Sequence, residues 1–182
     1  MPAMPDDHWL LSLRPQPKRV SAEEYEALPE EIAKTIEVVD GYVVFCAAPT
    51  PEHQRVVRRL TTLIERHARE AMDRGRPCVE VDFDIDLRLR DAPFLNRRPD
   101  VVLYECLDRG GGERLRPGHG LLVCEVVSSG SETQDTVDKL GEYARAGIPH
   151  YWIVRTGGTG VSVMSATSST GPPGSTSTWA PS

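Results

Sequence analysis

The chain has 182 residues and a formal net charge of −6 at pH 7, enough length for one domain with its own core and too acidic for a protein that binds nucleic acid over its whole surface. No apolar run approaches the roughly 18 residues needed to span a bilayer, and Asp6 and Asp7 precede a brief Trp9-Leu10-Leu11 patch, the reverse of a secretory leader. Cys46, Cys78, Cys106 and Cys124 form no C-x-x-C pair and lie in or beside apolar runs, which favours buried free thiols in a reducing cytoplasm over a disulfide or a zinc site.

Pro2, Pro5, Pro15 and Pro17 make residues 1–19 a poor helix or strand, and they read as a flexible arm. Ser21 with Glu24 forms a capping box that starts a short helix, turns Tyr25 and Leu28 inward and stops at Pro29. Residues 36–45 are apolar and β-branched except for Asp40-Gly41, a hairpin signal because both central positions need positive φ. Thr50 is a natural N-cap and Pro51 a good first residue for a helix running to about residue 73, with Val57, Leu60 and Ile64 at helical spacing and Gly75 beyond its end.

Residues 78–90 alternate strictly, with Val81, Phe83, Ile85, Leu87 and Leu89 on one face and Glu80, Asp82, Asp84, Asp86 and Arg88 on the other. That period predicts one long half-buried strand whose acids are solvated. A short buried strand follows at 101–104. The glycine-rich stretch 110–112 lacks a phosphate-loop lysine and reads as a loop. Residues 121–127 are apolar on both faces, the mark of a central strand, interrupted only by Glu125. After a polar turn at 128–131, a helix over 132–146 is expected to face inward through Val137, Leu140 and Ala144 and to end at Gly147. Residues 151–154 form another buried strand and 161–164 a last, weaker one. The Ser/Thr/Gly/Pro-rich residues 165–182 read as a disordered tail, which leaves a single α/β domain over 20–164. No internal repeat is present.

Two acids stand out. A carboxylate in Leu-Leu-Val-Cys-Glu-Val-Val needs a partner, because a buried unpaired charge is costly; that partner is either an Arg or Lys inside the sheet or a metal ion. Asp100 opens the 101–104 strand and, taken alone, reads as a turn residue. Taken together, the pair could reach one divalent ion, since neighbouring strands lie about 4.8 Å apart. His53 has no partner at metal-ligand spacing and reads as a helix-start residue or an active-site edge. Ser128 and Ser129 lack the G-x-S-x-G context of a nucleophile. Arg55, Arg58, Arg59 and Arg66 are a solvated helix face or an approach surface for a polyanion.

Pro99-Asp100, then Glu125-Val126-Val127-Ser128, Asp138-Lys139-Leu140, Tyr143-Ala144-Arg145-Ala146-Gly147-Ile148-Pro149 and Tyr151-Trp152-Ile153-Val154 together resemble the Uma-two family of restriction endonucleases, within the PD-(D/E)XK nuclease superfamily. Glu37-Val38-Val39-Asp40-Gly41 and Pro51-Glu52-His53-Gln54 resemble its early hairpin and the start of its first long helix. The resemblance covers residues 20–154. It implies a restriction-endonuclease-like mixed β-sheet flanked by α-helices and an endonuclease that hydrolyses DNA with Mg2+ or Mn2+. By that likeness Asp100 and Glu125 are metal ligands, the Val126 carbonyl is another, and Glu37 is an additional acid at the same ion. Val127 stands where the superfamily pattern has Lys, and the family's lysine comes from the following helix, here Lys139; pairing with Asp135 one turn earlier is the alternative for that side chain. A homodimer would set two sites against two strands. Arg155 stands where the family has an acid, and a Ser/Thr-rich stretch follows where the family continues into further strands; a frame change or truncation there would expose a sheet edge. The rival reading is a catalytically inactive module of the same fold that binds a protein or nucleic acid.

Overall fold

A computed structural model describes residues 18–107, 114–128, 134–157 and 160–167, the side chains of residues 128, 134–136, 156–157 and 160–167 excepted. The arm before residue 18, the 110–112 loop, the turn after Ser128 and the tail beyond residue 167 lie outside the described residues.

Local signals set the first half. Ser21 Oγ accepts the Glu24 N–H and the Glu24 carboxylate accepts the Ser21 N–H, closing the capping box of helix α1, Ala22–Glu26. Tyr25 is buried. A second short helix, α2 (Glu30–Ala33), follows Pro29. Strands β1 (Ile36–Val39) and β2 (Tyr42–Phe45) pair across Asp40 and Gly41, at φ 52° and 86°. Thr50 caps helix α3 (Pro51–Asp73) by accepting the His53 N–H.

The chain then builds two sheets. Strands β1 and β2 join β4 (Leu87–Arg90) and β5 (Leu95–Arg97) in a four-stranded antiparallel sheet of order β2-β1-β5-β4. The five-stranded sheet runs β3 (Val79–Asp82), β6 (Val101–Glu105), β7 (Gly120–Ser128), β8 (His150–Gly157), β9 (Gly160–Thr167). It is mixed: β7 and β8 are parallel, joined across helix α4 (Gln134–Arg145), and the other pairs are antiparallel. As its two-sided apolar pattern predicts, β7 is central. Val57, Leu60 and Ile64 of α3 pack on Val101, Leu122, Cys124 and Val126 of one face. Val102, Val123 and Ile153 pack with Tyr143 and Tyr151 on the other.

Four expectations are corrected. Residues 78–90 are not one strand: β3 belongs to one sheet and β4 to the other. Between them Asp84 takes φ 52° and its N–H donates to the Pro99 carbonyl (3.3 Å), a left-handed bend that Asp tolerates better than most residues. Alternation reports which face a residue occupies, not which sheet, so Phe83, expected inside, is 52% exposed while Leu87 is fully buried. The acids of that stretch are not simply solvated either. Tyr104 binds Asp82, Arg98 binds Asp84 and Asp86, and the Tyr25 hydroxyl donates to Asp86 (3.0 Å). On α4, Val137 and Ala144 are exposed while Tyr143 is fully buried and Lys139 largely so; the inward stripe is polar because it meets acids. The thiols divide three ways: Cys78 and Cys106 form a disulfide, Cys46 is exposed and only Cys124 is a buried free thiol. The Cys78 carbonyl already accepts the Cys106 N–H (3.2 Å), so β-pairing holds these two together. The last strand expected at 161–164 is present as β9, which pairs along β8 from His150 to Gly157. Among the described residues no helix is long and apolar enough to cross a membrane.

Candidate active site

The pairing of β6 with β7 matches Val101 to Cys124 in antiparallel register, which sets Asp100 opposite Glu125. Asp100 is held there by backbone: the Val126 N–H donates to its Oδ2 (2.6 Å). From the start of α3, His53 Nε2 lies 3.2 Å from each Asp100 carboxylate oxygen. That contact raises the His53 pKa, burial opposes it, and the Asp100 charge, the Val126 backbone and Glu125 add to it. The proximity to His53 answers what the sequence left open, since His53 stands at the edge of the paired acids and not merely at a helix start.

Glu125 projects from β7 toward α4, where the Tyr143 hydroxyl donates to its Oε1 (2.9 Å) and Lys139 Nζ stands 3.6 Å away. Burial is the main reason its pKa is raised to about 8; Lys139 works against that, and the negative charges of Asp100 and Glu37 reinforce it. Glu37 comes from β1, in the other sheet. Its Oε1 accepts the Arg98 N–H (3.0 Å) and faces Lys139 Nζ (3.0 Å), and its Oε2 accepts from Arg97 (2.8 Å). Burial pushes Glu37 upward, but Lys139, the Arg98 N–H and Arg97 outweigh it and hold the carboxyl below its usual range. Arg97 is 2% exposed and also donates to both oxygens of Glu142 on α4 (2.7 and 3.0 Å).

The two sheets and α4 therefore meet at a polar seam in which Glu37, Glu125 and Lys139 come together and Asp100 sits opposite Glu125. All four were expected from the sequence. Lys139 reaches into the seam; the Asp135 side chain, its alternative partner, lies outside the described residues. Arg97, Glu142 and Tyr143 were not foreseen as one network. The available signal was the spacing of Lys139, Glu142 and Tyr143, which puts three polar side chains on one stripe of α4. Among the described residues no three His, Cys, Asp or Glu side chains gather as a ready metal cage. A cavity of about 580 Å³ is lined by Tyr25, Lys34, Asp86 and Arg98 among others, whose charges largely pair with one another.

Most of the chain matches a known set of proteins. Residues 22–175 match the family Uma2, described as "Putative restriction endonuclease". The chain belongs to this family. Its fold is similar to that of a solved protein titled a putative nuclease belonging to DUF820, from Anabaena variabilis ATCC 29413. The TM-score is 0.55 at 13% identity, covering 79% of this chain and 83% of that one. No curated protein sequence matches the chain. Uma2 membership supports a nuclease-like function.

Proposed function

We propose that this Uma2 protein is a metal-dependent endonuclease that hydrolyses DNA phosphodiesters, with Asp100 and Glu125 as the carboxylate ligands. The observation that carries the reading is the register of β6 on β7, which opposes the two carboxylates at one end of the sheet. The donor set fits a hard divalent cation. Mg2+ is commonly bound through one or two carboxylates with its remaining positions filled by water, so two acids suffice without a three-residue cage. In an extended strand a residue's N–H and C=O project to the same side; the Val126 N–H points at Asp100, so its carbonyl is the third oxygen donor in this reading. A bound Mg2+ or Mn2+ would polarise the phosphate and lower the pKa of a water.

The chain's own groups have separable tasks. Lys139, steered by Glu37, presents an ammonium beside Glu125 that would neutralise phosphate charge or orient the attacking water. The Tyr143 hydroxyl fixes the Glu125 rotamer. Glu37 already has both oxygens engaged, so its first role is to orient Lys139, and ligation by Glu37 would require Lys139 to swing away.

Titration calorimetry with Mn2+ and Mg2+ on the wild type, Glu125→Ala and Glu37→Gln tests the reading. Saturable binding is expected, lost in Glu125→Ala and retained in Glu37→Gln; loss in both would make Glu37 a ligand as well. Metal-dependent cleavage of plasmid DNA should follow the same pattern. Absence of wild-type binding, with DNA present or not, would sink the enzyme reading in favour of an inactive module, toward which the ready-made Lys139 contacts with both Glu37 and Glu125 would then point.

A further inference from the structure

Beside the paired acids, a groove of about 400 Å³ is lined by Pro51, Gln54, Arg55, Val57, Arg58 and Phe83. Its position follows from the strand register. Asp82 pairs with Val102 and the Asp84 N–H reaches the Pro99 carbonyl, so Phe83 lies alongside the Asp100 segment. The opposite wall is the first two turns of α3, whose His53 touches Asp100. Phe83 is 52% exposed. Arg55 and Arg58 are exposed, and neither guanidinium has an ion-pair partner among the described residues.

An exposed aromatic ring that lines one groove with two guanidinium groups suits a ligand that is both flat and anionic. Phosphates can sit on Arg55 and Arg58, and a base can stack on Phe83, since every base offers a π-face and stacking needs no sequence. The acids flanking Phe83 would repel such a ligand if bare. Arg98 pairs with Asp84 and offsets its charge, while Asp82 is engaged by the Tyr104 hydroxyl. The net charge of −6 does not oppose this either, since a local pair of cations, Arg55 and Arg58, lines the path the strand would take. A duplex keeps its bases stacked on each other, so a ring presented from a groove selects an unpaired segment.

We infer that the Phe83–Arg55–Arg58 groove is a subsite for single-stranded nucleic acid, with one unstacked base on Phe83 and the backbone phosphates on the two arginines, feeding the strand toward Asp100. The inference rests on the nuclease reading for its class of ligand and specifies which form of nucleic acid enters, and where.

The test is fluorescence anisotropy of a labelled 15-nucleotide single-stranded DNA and the matching duplex, in EDTA so that nothing is cut, with Mn2+ calorimetry on the same proteins. Wild type should bind the single strand more tightly than the duplex. Phe83→Ala should weaken single-strand binding roughly 5- to 150-fold, the loss of one base–aromatic stack. Arg55→Ala and Arg58→Ala should each lower the slope of log affinity against log salt by about 0.7, one phosphate contact on a single strand. Mn2+ binding should be unchanged in all three. Phe83→Leu, which keeps the apolar bulk without a ring, should weaken binding as Phe83→Ala does; full affinity in Phe83→Leu would overturn the stacking role. Equal affinity in wild type and all variants, a preference for duplex, or no oligonucleotide binding by the wild type would also overturn the inference, whatever the metal does. Wild type that binds no Mn2+ but holds single strands in a Phe83-dependent way would sink the nuclease reading and leave this subsite standing.

Discussion

Glu37 and Glu125 are both buried glutamates, 4% and 7% exposed, on strands of different sheets, and both lie within reach of Lys139. Their proton affinities go opposite ways. Glu37 has Arg97, the Arg98 N–H and Lys139 as donors and stays below the usual carboxylate range against the pull of burial. Glu125 has the Tyr143 hydroxyl and a more distant Lys139, and burial raises it to about 8. The difference teaches that burial alone does not set the charge of an acid; the count and strength of donors do. It also separates structure from chemistry. The saturated acid is a strut between the four-stranded sheet and α4, whereas the undersupplied one has a standing demand for positive charge.

The strut should be the harder side to lose. Arg97→Ala removes the cation that Glu37 and Glu142 share in a buried seam, and breaking a buried pair costs about 3–5 kcal/mol; urea unfolding should show a loss of that size, and a loss under about 1 kcal/mol would make the Arg97 network dispensable. Next in size, Lys139→Met should reduce any metal-dependent cleavage by about 10²–10³-fold, the scale of one lost charge-stabilising donor. In the metal-free protein the same change should raise both carboxyl pKa values, with Glu37 remaining the lower because Arg97 and the Arg98 N–H still donate to it, as read by NMR titration of labelled carboxyl carbons. If Glu37 rose to meet Glu125, the contrast would fail.

The pH dependence of stability tests the undersupplied side. Glu125 titrates higher when folded than its ordinary 4.5, so the folded state holds the extra proton. The associated stability is fully present below the ordinary value and is lost as pH rises through the folded value near 8. In chelator, the wild type should therefore lose stability between about pH 5 and 8, at no more than about 1.4 kcal/mol per pH unit for one proton. Glu125→Gln should flatten that slope; a slope unchanged by the substitution would assign it to another group. The smallest effect belongs to Tyr143→Phe, which deletes one donor to Glu125 and should cost about 1–3 kcal/mol in thermal unfolding, with the Glu125 pKa rising and Arg97-dependent stability untouched.

Much of the site was readable as residue types and little of it as contacts. Glu125 announced itself as the one charge in a two-sided apolar run, and Asp100 and Lys139 through likeness to a family. The inward stripe of α4 was misread, because an apolar periodicity search takes Val137 and Ala144 for the buried face, while a helix that packs on acids buries Lys139 and Tyr143 instead. Arg97 gave no signal, since its partners Glu37 and Glu142 lie on elements far apart in the chain.

By itself the sequence determined the features whose partners lie within a few residues: the Ser21–Glu24 capping box, the Asp40-Gly41 hairpin, the Thr50-Pro51 helix start and the two-sided apolar β7. Each is decided by local φ/ψ preference, a nearby donor or a side-chain period, and none depends on where the rest of the chain lies. Only the tertiary structure decided which sheet β3 and β4 join, that Cys78 meets Cys106, which acids receive Lys139, and that Phe83 faces solvent beside Asp100. Those outcomes depend on strand register and on how two sheets and α4 close over one seam, and one-residue shifts in register would rewrite every one of them.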